Sequence, residues 1–311
     1  MTRLTQGCVK TLLALVVAAA VGLPLRLRAA PPGNEPTSHP ASAASSTAPA
    51  SKPAAEFTLA TFNINYGNPD LKSVVETIRK ADADLVAVQE VNEQSANLFR
   101  NALGKLYPHM QFRFAPAAGG FAFLSKRPLL KLQYHPPSFG WFGFWLAQVE
   151  LGGKTLHVGN VHLLPTIPQA GDGVAELMKR FLATEPIRFR EIEHVFGKLP
   201  KGDPVVLLGD FNSTVQMAAP QYLIQRGFAD SFAAVNEKAD RQASWHWKIK
   251  EVDWRLRIDY IFHTAHFRTL SSRILETAAS DHFLVVSRLT WKPTTASEPA
   301  AATAGASAAP R

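Results

Sequence analysis

Cysteine is nearly absent. The 311-residue chain has one, Cys8, which excludes an intrachain disulfide framework and any zinc or iron–sulfur site built on thiolates, because each needs two or more sulfurs. A metal would have to be held by oxygen or nitrogen. Charged residues are also sparse at 19%, against 46% apolar residues, the balance of a globular chain with a sizeable core. Long apolar runs are missing too: Leu12 to Leu23 is shorter than the roughly 20 residues that span a bilayer. The formal charge of +8 is unevenly placed, since residues 56–292 hold 27 of the 33 Lys and Arg and 23 of the 25 Asp and Glu, a net of +4. Such a surface admits an anionic substrate without requiring a polyanion.

What is present at the N-terminus has the order of an export signal. Arg3 and Lys10 precede the Leu12–Leu23 run and small residues follow toward Ala29 and Ala30, so residues 1–30 are expected to be a signal peptide or an uncleaved signal anchor. The chain is then periplasmic or secreted, or tethered to the inner membrane. Cys8 lies before the apolar run, which argues against a lipoprotein cysteine. Residues 31–55 and 293–311 are dominated by Ala, Pro, Ser and Thr and lack the large apolar side chains that offset ordering entropy, so they are expected to be a disordered linker and tail. Residues 56–292 remain as one catalytic-sized domain.

Within that domain short β-rich runs alternate with helical patterns. Strands are expected at 57–64, 85–89, 121–125, 145–151, 156–163, 205–208, 258–262 and 283–289. Asp70 is placed to cap a helix whose Leu71, Val74, Val75 and Ile78 share a face, and Phe189, Ile192, Phe196 and Leu199 recur at helical spacing in another. Gly152-Gly153 marks a hairpin. Hairpins mixed with strand–helix–strand units imply an α/β (α+β) fold with mixed sheets and outer helices.

Polar residues recur where apolar strands end, positions from which a rigid frame presents side chains to a cleft. Asn63 and Asn65 follow Leu59-Ala60-Thr61-Phe62, and Glu90 follows Leu85-Val86-Ala87-Val88-Gln89; Asn63 also suits a turn and Glu90 a helix N-terminus. Asn160 and His162, two apart, share one strand face, with His157 on the other. A histidine satisfied within the core fits that pattern as well. In Gly209-Asp210-Phe211-Asn212 the glycine lets backbone approach a bound group while Asp210 and Asn212 point the same way. Asp259 interrupts an apolar strand and needs a partner, either Arg257 or the histidine of Ser280-Asp281-His282-Phe283. Asp beside His supplies a metal-capable carboxylate and a group that exchanges a proton near neutral pH.

Together the segments Thr61-Phe62-Asn63-Ile64, Gln89-Glu90, Asn160-Val161-His162, Gly209-Asp210-Phe211-Asn212, Arg257-Ile258-Asp259-Tyr260 and Ser280-Asp281-His282 resemble, in order and spacing, the endonuclease/exonuclease/phosphatase superfamily, which includes pancreatic deoxyribonuclease, abasic-site endonucleases, neutral sphingomyelinases and inositol polyphosphate 5-phosphatases. The resemblance runs from about Phe57 to Leu289. It implies a four-layer α/β/β/α sandwich of the deoxyribonuclease I type and a metal-dependent hydrolase of phosphate esters.

The same resemblance implies roles. Glu90 would bind the metal with Asn63 and Asp281, and Asn65 would support them from outside. Oxygen ligands of this kind favour Mg²⁺, with Mn²⁺ as substitute. His282 would be the catalytic histidine and Asp259 its orienting carboxylate. Asp210 and Asn212 would position water and a phosphate oxygen, and Asn160 and His162 would also face the phosphate; His282 and Asp210 both remain candidates to take the water proton. The substrate implied is a phosphodiester, nucleic acid first and a phospholipid or sphingomyelin second, with a phosphomonoester or a non-catalytic binding module as further readings. No obligate protein partner is implied. The segment Phe139-Gly140-Trp141-Phe142-Gly143-Phe144-Trp145 is open to three readings: a loop entering a membrane interface, a platform for unpaired bases, or aromatics folded back as core. Trp245-His246-Trp247 either walls the cleft or packs under a sheet.

Overall fold

A computed structural model describes residues 55–293 except 168, 170 and 250. Cys8, the expected export segment, and all but the end residues of the expected linker and tail lie outside the described residues.

The fold is two six-stranded mixed sheets packed face to face with helices outside. The first sheet runs β13 (Phe267–Leu275), β14 (Leu284–Trp291), β1 (Glu56–Asn63), β2 (Leu85–Gln89), β4 (Phe121–Ser125), β3 (His109–Arg113). The second runs β5 (Leu129–His135), β6 (Phe144–Leu151), β7 (Lys154–His162), β8 (Val205–Asp210), β12 (Asp259–His263), β9 (Ala229–Asp230). A separate hairpin pairs β10 (Trp245–Ile249) with β11 (Val252–Leu256). Helices α1 (Leu71–Ala81) and α2 (Glu93–Leu103) cover the first sheet, and α4 (Glu185–Lys198) and α5 (Ala218–Gln225) cover the second. A further helix, α3 (Val174–Ala183), leads into α4.

The strand period of two sorts side chains between layers. In β2, Leu85 and Ala87 enter the core between the sheets while Val86 and Val88 pack under the helices; in β8, Val206 and Leu208 face inward and Val205 and Leu207 outward. Both strands are therefore apolar without alternation, as central strands buried on both faces must be. Asp70 caps α1 by accepting from the Ser73 N–H (3.1 Å), and Gly152 and Gly153 turn between β6 and β7 at φ 60° and 75°, as expected. Gly209 differs from expectation. It stands at φ 149°, and a Cβ there would lie 1.9 Å from the Val161 carbonyl oxygen, so its missing side chain admits the neighbouring strand and not a bound group.

The same alternation places the site. Thr61 and Asn63, Gln89, Asn160 and His162, and Asp210 continue the inward registers of strands whose earlier inward residues form the inter-sheet core. At one end of the sandwich that core changes from apolar to polar.

Candidate active site

Strand pairing brings three of the expected residues side by side. His162 pairs with Asp210 across parallel β7 and β8, and Asp210 pairs with Asp259 across antiparallel β8 and β12. From the first sheet, Asn63 donates through Nδ2 to Glu90 Oε1 (2.9 Å) and to Asp210 Oδ2 (3.1 Å). One amide thus joins the two sheets across the site. His282 completes it, with Nε2 3.6 Å from Asp210 Oδ2.

Asp259 finds its partner in His282, whose Nδ1 lies 3.0 Å from Oδ2 and 3.2 Å from Oδ1. Arg257 is bonded elsewhere, to Asp230 at 2.7 Å. Ser244, which sequence reasoning passed over, donates its hydroxyl to Asp259 Oδ2 (2.7 Å) and accepts from the Ile258 and Asp259 N–H groups. Trp245 bridges to His282 through backbone and donates Nε1–H to Asp281 Oδ2 (3.1 Å), so it walls the site; Trp247 stacks on it at 6.3 Å and is exposed.

Burial and charge set the protonation states. Burial alone would lower the His282 pKa, yet the carboxylates of Asp259 and Asp210 hold it well above the usual histidine value. Asp210 is pushed up to about 7, chiefly by burial and further by the charge on Asp259, against the pull of His282. His162 is the opposite case. Burial, helped by the charge of His282, depresses it to about 3, so its ring is neutral. The ring stacks on Phe142 at 4.3 Å, and neither nitrogen has a hydrogen bond of good geometry, with the Ala118 backbone near enough to favour a proton slightly. Its Nε2 lies 3.6 Å from Asp210 Oδ2 and 3.9 Å from Glu90 Oε1, so the ring edge faces the carboxylates.

Glu90 sits just past β2 at φ 65°, outside any helix. Its carboxylate is raised by burial and by the nearby Asp281 charge, while Asn63 and the Tyr66 N–H (2.7 Å to Oε2) oppose the rise. Glu90 and Asp210, both bonded to the Asn63 amide, are therefore held up chiefly by burial, against the pull of His282. Oxygen donors in that condition fit a hard divalent cation. Asp210, Asp259 and His282 also place one donor atom each within 4.8 Å of one another, close enough to share an ion.

One expected role needs correction, that of Asn160. Asn63 stands beside Glu90 as expected: its Oδ1 accepts from the Asn65 N–H (3.0 Å) and its amide nitrogen faces the carboxylates of Glu90 and Asp210. Asn160 was expected to contact phosphate, but Nδ2 donates to the Val88 and Ala122 carbonyls (3.1 and 3.0 Å) and Oδ1 accepts from Gln89 Nε2 (2.7 Å). Fully buried and fully bonded, it ties the sheets together beneath the site. The other expected residues converge. Asn65 Nδ2 donates to Asp281 Oδ1 (3.0 Å), and Asn212, at φ 48°, donates Nδ2 to the Leu163 carbonyl (3.0 Å) and its N–H to Asp210 Oδ1 (2.8 Å). His157 lies on the opposite face, beside Asp203 (3.2 Å) and Gln148 (3.1 Å).

The aromatic segment splits. Phe142 is buried under His162, whereas Trp141 is 56% and Phe139 41% exposed.

A family model described as "Endonuclease/Exonuclease/phosphatase family" matches residues 60–282. The chain belongs to the endonuclease/exonuclease/phosphatase family. No match is found among curated proteins. Among solved structures, this family member is similar to D. rerio TDP2 complexed with single strand DNA product (15% identity, TM-score 0.59, covering 76% of this chain and 99% of that one). It is also similar to family proteins from Leptotrichia buccalis (15%, 0.59, 76% and 100%) and Beutenbergia cavernae (21%, 0.56, 76% and 72%). At these identities the likeness is one of fold, and it agrees with the two-sheet sandwich described above.

Proposed function

We propose that this family member is an exported, Mg²⁺-dependent phosphodiester hydrolase acting on nucleic acid. The observation that carries the reading is the Asp259–His282–Asp210 line, in which a charged imidazole faces, at 3.6 Å, a buried carboxyl raised to about 7. One group is held protonated and the other is poised to accept a proton near neutral pH.

In this reading His282, kept charged by Asp259, presents Nε2–H to a non-bridging phosphoryl oxygen. Asp210 accepts the proton of the attacking water, aimed by Asn63 and the Asn212 N–H. Neutral His162, whose Nε2 lies 3.6 Å from Asp210 Oδ2 and 3.9 Å from Glu90 Oε1, donates to a second phosphoryl oxygen. These donors are preorganised for charge that grows in the transition state. Glu90 with Asp281 would hold the divalent cation, which supplies positive charge to the phosphoryl group when bound.

Nucleic acid is favoured by the Trp245–Trp247 stack, whose inner ring lies 6.4 Å from His282 and whose exposed outer ring offers a face for a base. The D. rerio TDP2 structure, with its single strand DNA product, supports the same choice. Exposed Phe139 and Trp141 favour a second reading, a lipid phosphodiester reached at a membrane interface. Export rests on the Arg3, Lys10 and Leu12–Leu23 pattern.

The test is hydrolysis of bis-p-nitrophenyl phosphate with Mg²⁺ or Mn²⁺, abolished by EDTA and restored by added metal, followed by cleavage of single-stranded and plasmid DNA against phosphocholine release from liposomes. Absence of turnover on every phosphoester, with metal binding demonstrated, would establish a binding module instead.

A further inference from the structure

Helix α4 turns an ionic face toward the site. Glu185, Arg188 and Glu191 are spaced i, i+3, i+6 and so share one side of the helix. Arg188 heads the largest fully buried side chains at 0% exposure. Its Nε donates to Glu185 Oε2 (3.0 Å) and Ser213 Oγ (2.9 Å), and its terminal nitrogens donate to Thr184 Oγ1 (2.6 Å), the Leu164 carbonyl (3.4 Å) and the Phe181 carbonyl (2.5 Å). Glu191 Oε2 accepts from the Leu164 N–H (2.8 Å). Glu185 accepts from the Ser213 hydroxyl (2.6 Å) and the Ala219 N–H (2.9 Å).

The targets of this network are two short segments. Leu164, two residues after His162, is held at its N–H by Glu191 and at its carbonyl by Arg188. Ser213, next to Asn212 and three residues after Asp210, is held at its hydroxyl by Arg188 and Glu185. The segments are joined to each other by Asn212 Nδ2 to the Leu163 carbonyl and by the Leu163 N–H to the Asp210 carbonyl (2.9 Å).

A buried ion network is a poor device for stability, since apolar residues of similar volume commonly do as well or better. Its value lies in directional bonds that hold groups to a set geometry. We propose that Arg188, with Glu185, is a positioning residue for the reaction, fixing the spacing between His162 on one strand end and Asp210 and Asn212 on the other. The proposal rests on the hydrolase reading above. Fully buried, Arg188 reaches the site through Leu164 and Ser213 and through its charge, which Asp210 feels.

The test uses the full chain and bis-p-nitrophenyl phosphate at saturating Mg²⁺. The double variant Arg188→Met/Glu185→Gln removes this pair of charges together, and Glu191, which loses the nearby Arg188 charge, keeps its bond from the Leu164 N–H. It is expected to unfold cooperatively and to lose at least about tenfold in kcat per folded molecule with KM little changed, the mark of groups displaced by a fraction of an ångström. A folded double variant with wild-type kcat, or with only KM altered, overturns the proposal. If the double variant fails to fold, Ser213→Ala decides: a fall in kcat at constant KM sustains the role, and unchanged kcat refutes it. A wild-type chain that hydrolyses no phosphoester refutes the hydrolase reading itself, a result distinguishable from active protein with indifferent variants.

Discussion

Replacing Asp259 with asparagine tests the site at its electrostatic centre. Ser244 Oγ accepts two backbone N–H groups, from Ile258 and Asp259, and must therefore give its own proton to the side chain of residue 259. In Asp259→Asn the oxygen that Ser244 bonds still lies 3.0 Å from His282 Nδ1 and the amide NH₂ takes the place of Oδ1, 3.2 Å away. Neither carries a negative charge, so the imidazolium loses its charged partner. The carboxylate that holds the His282 pKa above its ordinary value despite burial is gone. A charge-assisted hydrogen bond is worth about 1.5–3 kcal/mol, and at about 1.4 kcal/mol per tenfold the loss in kcat is roughly 10- to 100-fold. The assay is hydrolysis of bis-p-nitrophenyl phosphate across pH, with thermal unfolding to confirm the fold. Wild-type turnover in folded Asp259→Asn, with an unchanged pH profile, would refute the assignment of His282 as a charged donor held by Asp259.

His157→Ala is expected to leave turnover unchanged, because His157 faces Asp203 and Gln148 away from the site; a large loss in the same assay would mean that the faces of β7 are wrongly assigned. Glu191→Gln should change the pH dependence of stability. Burial raises the Glu191 carboxyl from 4.5 to about 7, so over that range the native state keeps a proton that the unfolded chain releases; this contribution is present below pH 4.5 and lost as pH rises to about 7. Thermal midpoints against pH should show the wild type falling relative to Glu191→Gln across that window, and parallel curves would contradict it. Phe142→Ala uncovers the His162 ring, and NMR titration should show its pKa rising from about 3 toward the ordinary value as hydrolysis declines on every substrate. Trp141→Ser, exposed at the rim, should spare bis-p-nitrophenyl phosphate hydrolysis and impair only the liposome reaction if that reaction exists.

The interior strands were legible because burial leaves a continuous record in sequence. Leu85–Gln89 and Phe121–Ser125 match expectation to the residue, and Val205–Asp210 runs two residues past it. Strands β3, β5 and β13 were not anticipated. They lie at sheet edges, where one side meets solvent and residues such as Lys131, Gln111 and Arg273 break the apolar pattern. In α4 the expected stripe of Phe189, Ile192, Phe196 and Leu199 divides: Ile192 and Leu199 join the core over the second sheet, Phe189 and Phe196 pack on Tyr222, and Arg188 and Glu191 are buried beside Ile192 and Val195. Hydropathy reads charged residues as outward, so a buried ionic face leaves no signal in it.

By itself the sequence determined that amide, imidazole and carboxylate side chains stand at the ends of apolar strands, because strand alternation and chain order are local properties. Which of them meet was decided by the packing of the two sheets. Asn63 reaches Asp210, 147 residues away, and Asp259 chooses His282 over the nearby Arg257. Asn160, two residues from His162 on the same face, is spent instead on holding the sheets together. Hydrogen-bond partners across a sandwich depend on how one sheet lies on the other, a relation that only the folded chain contains.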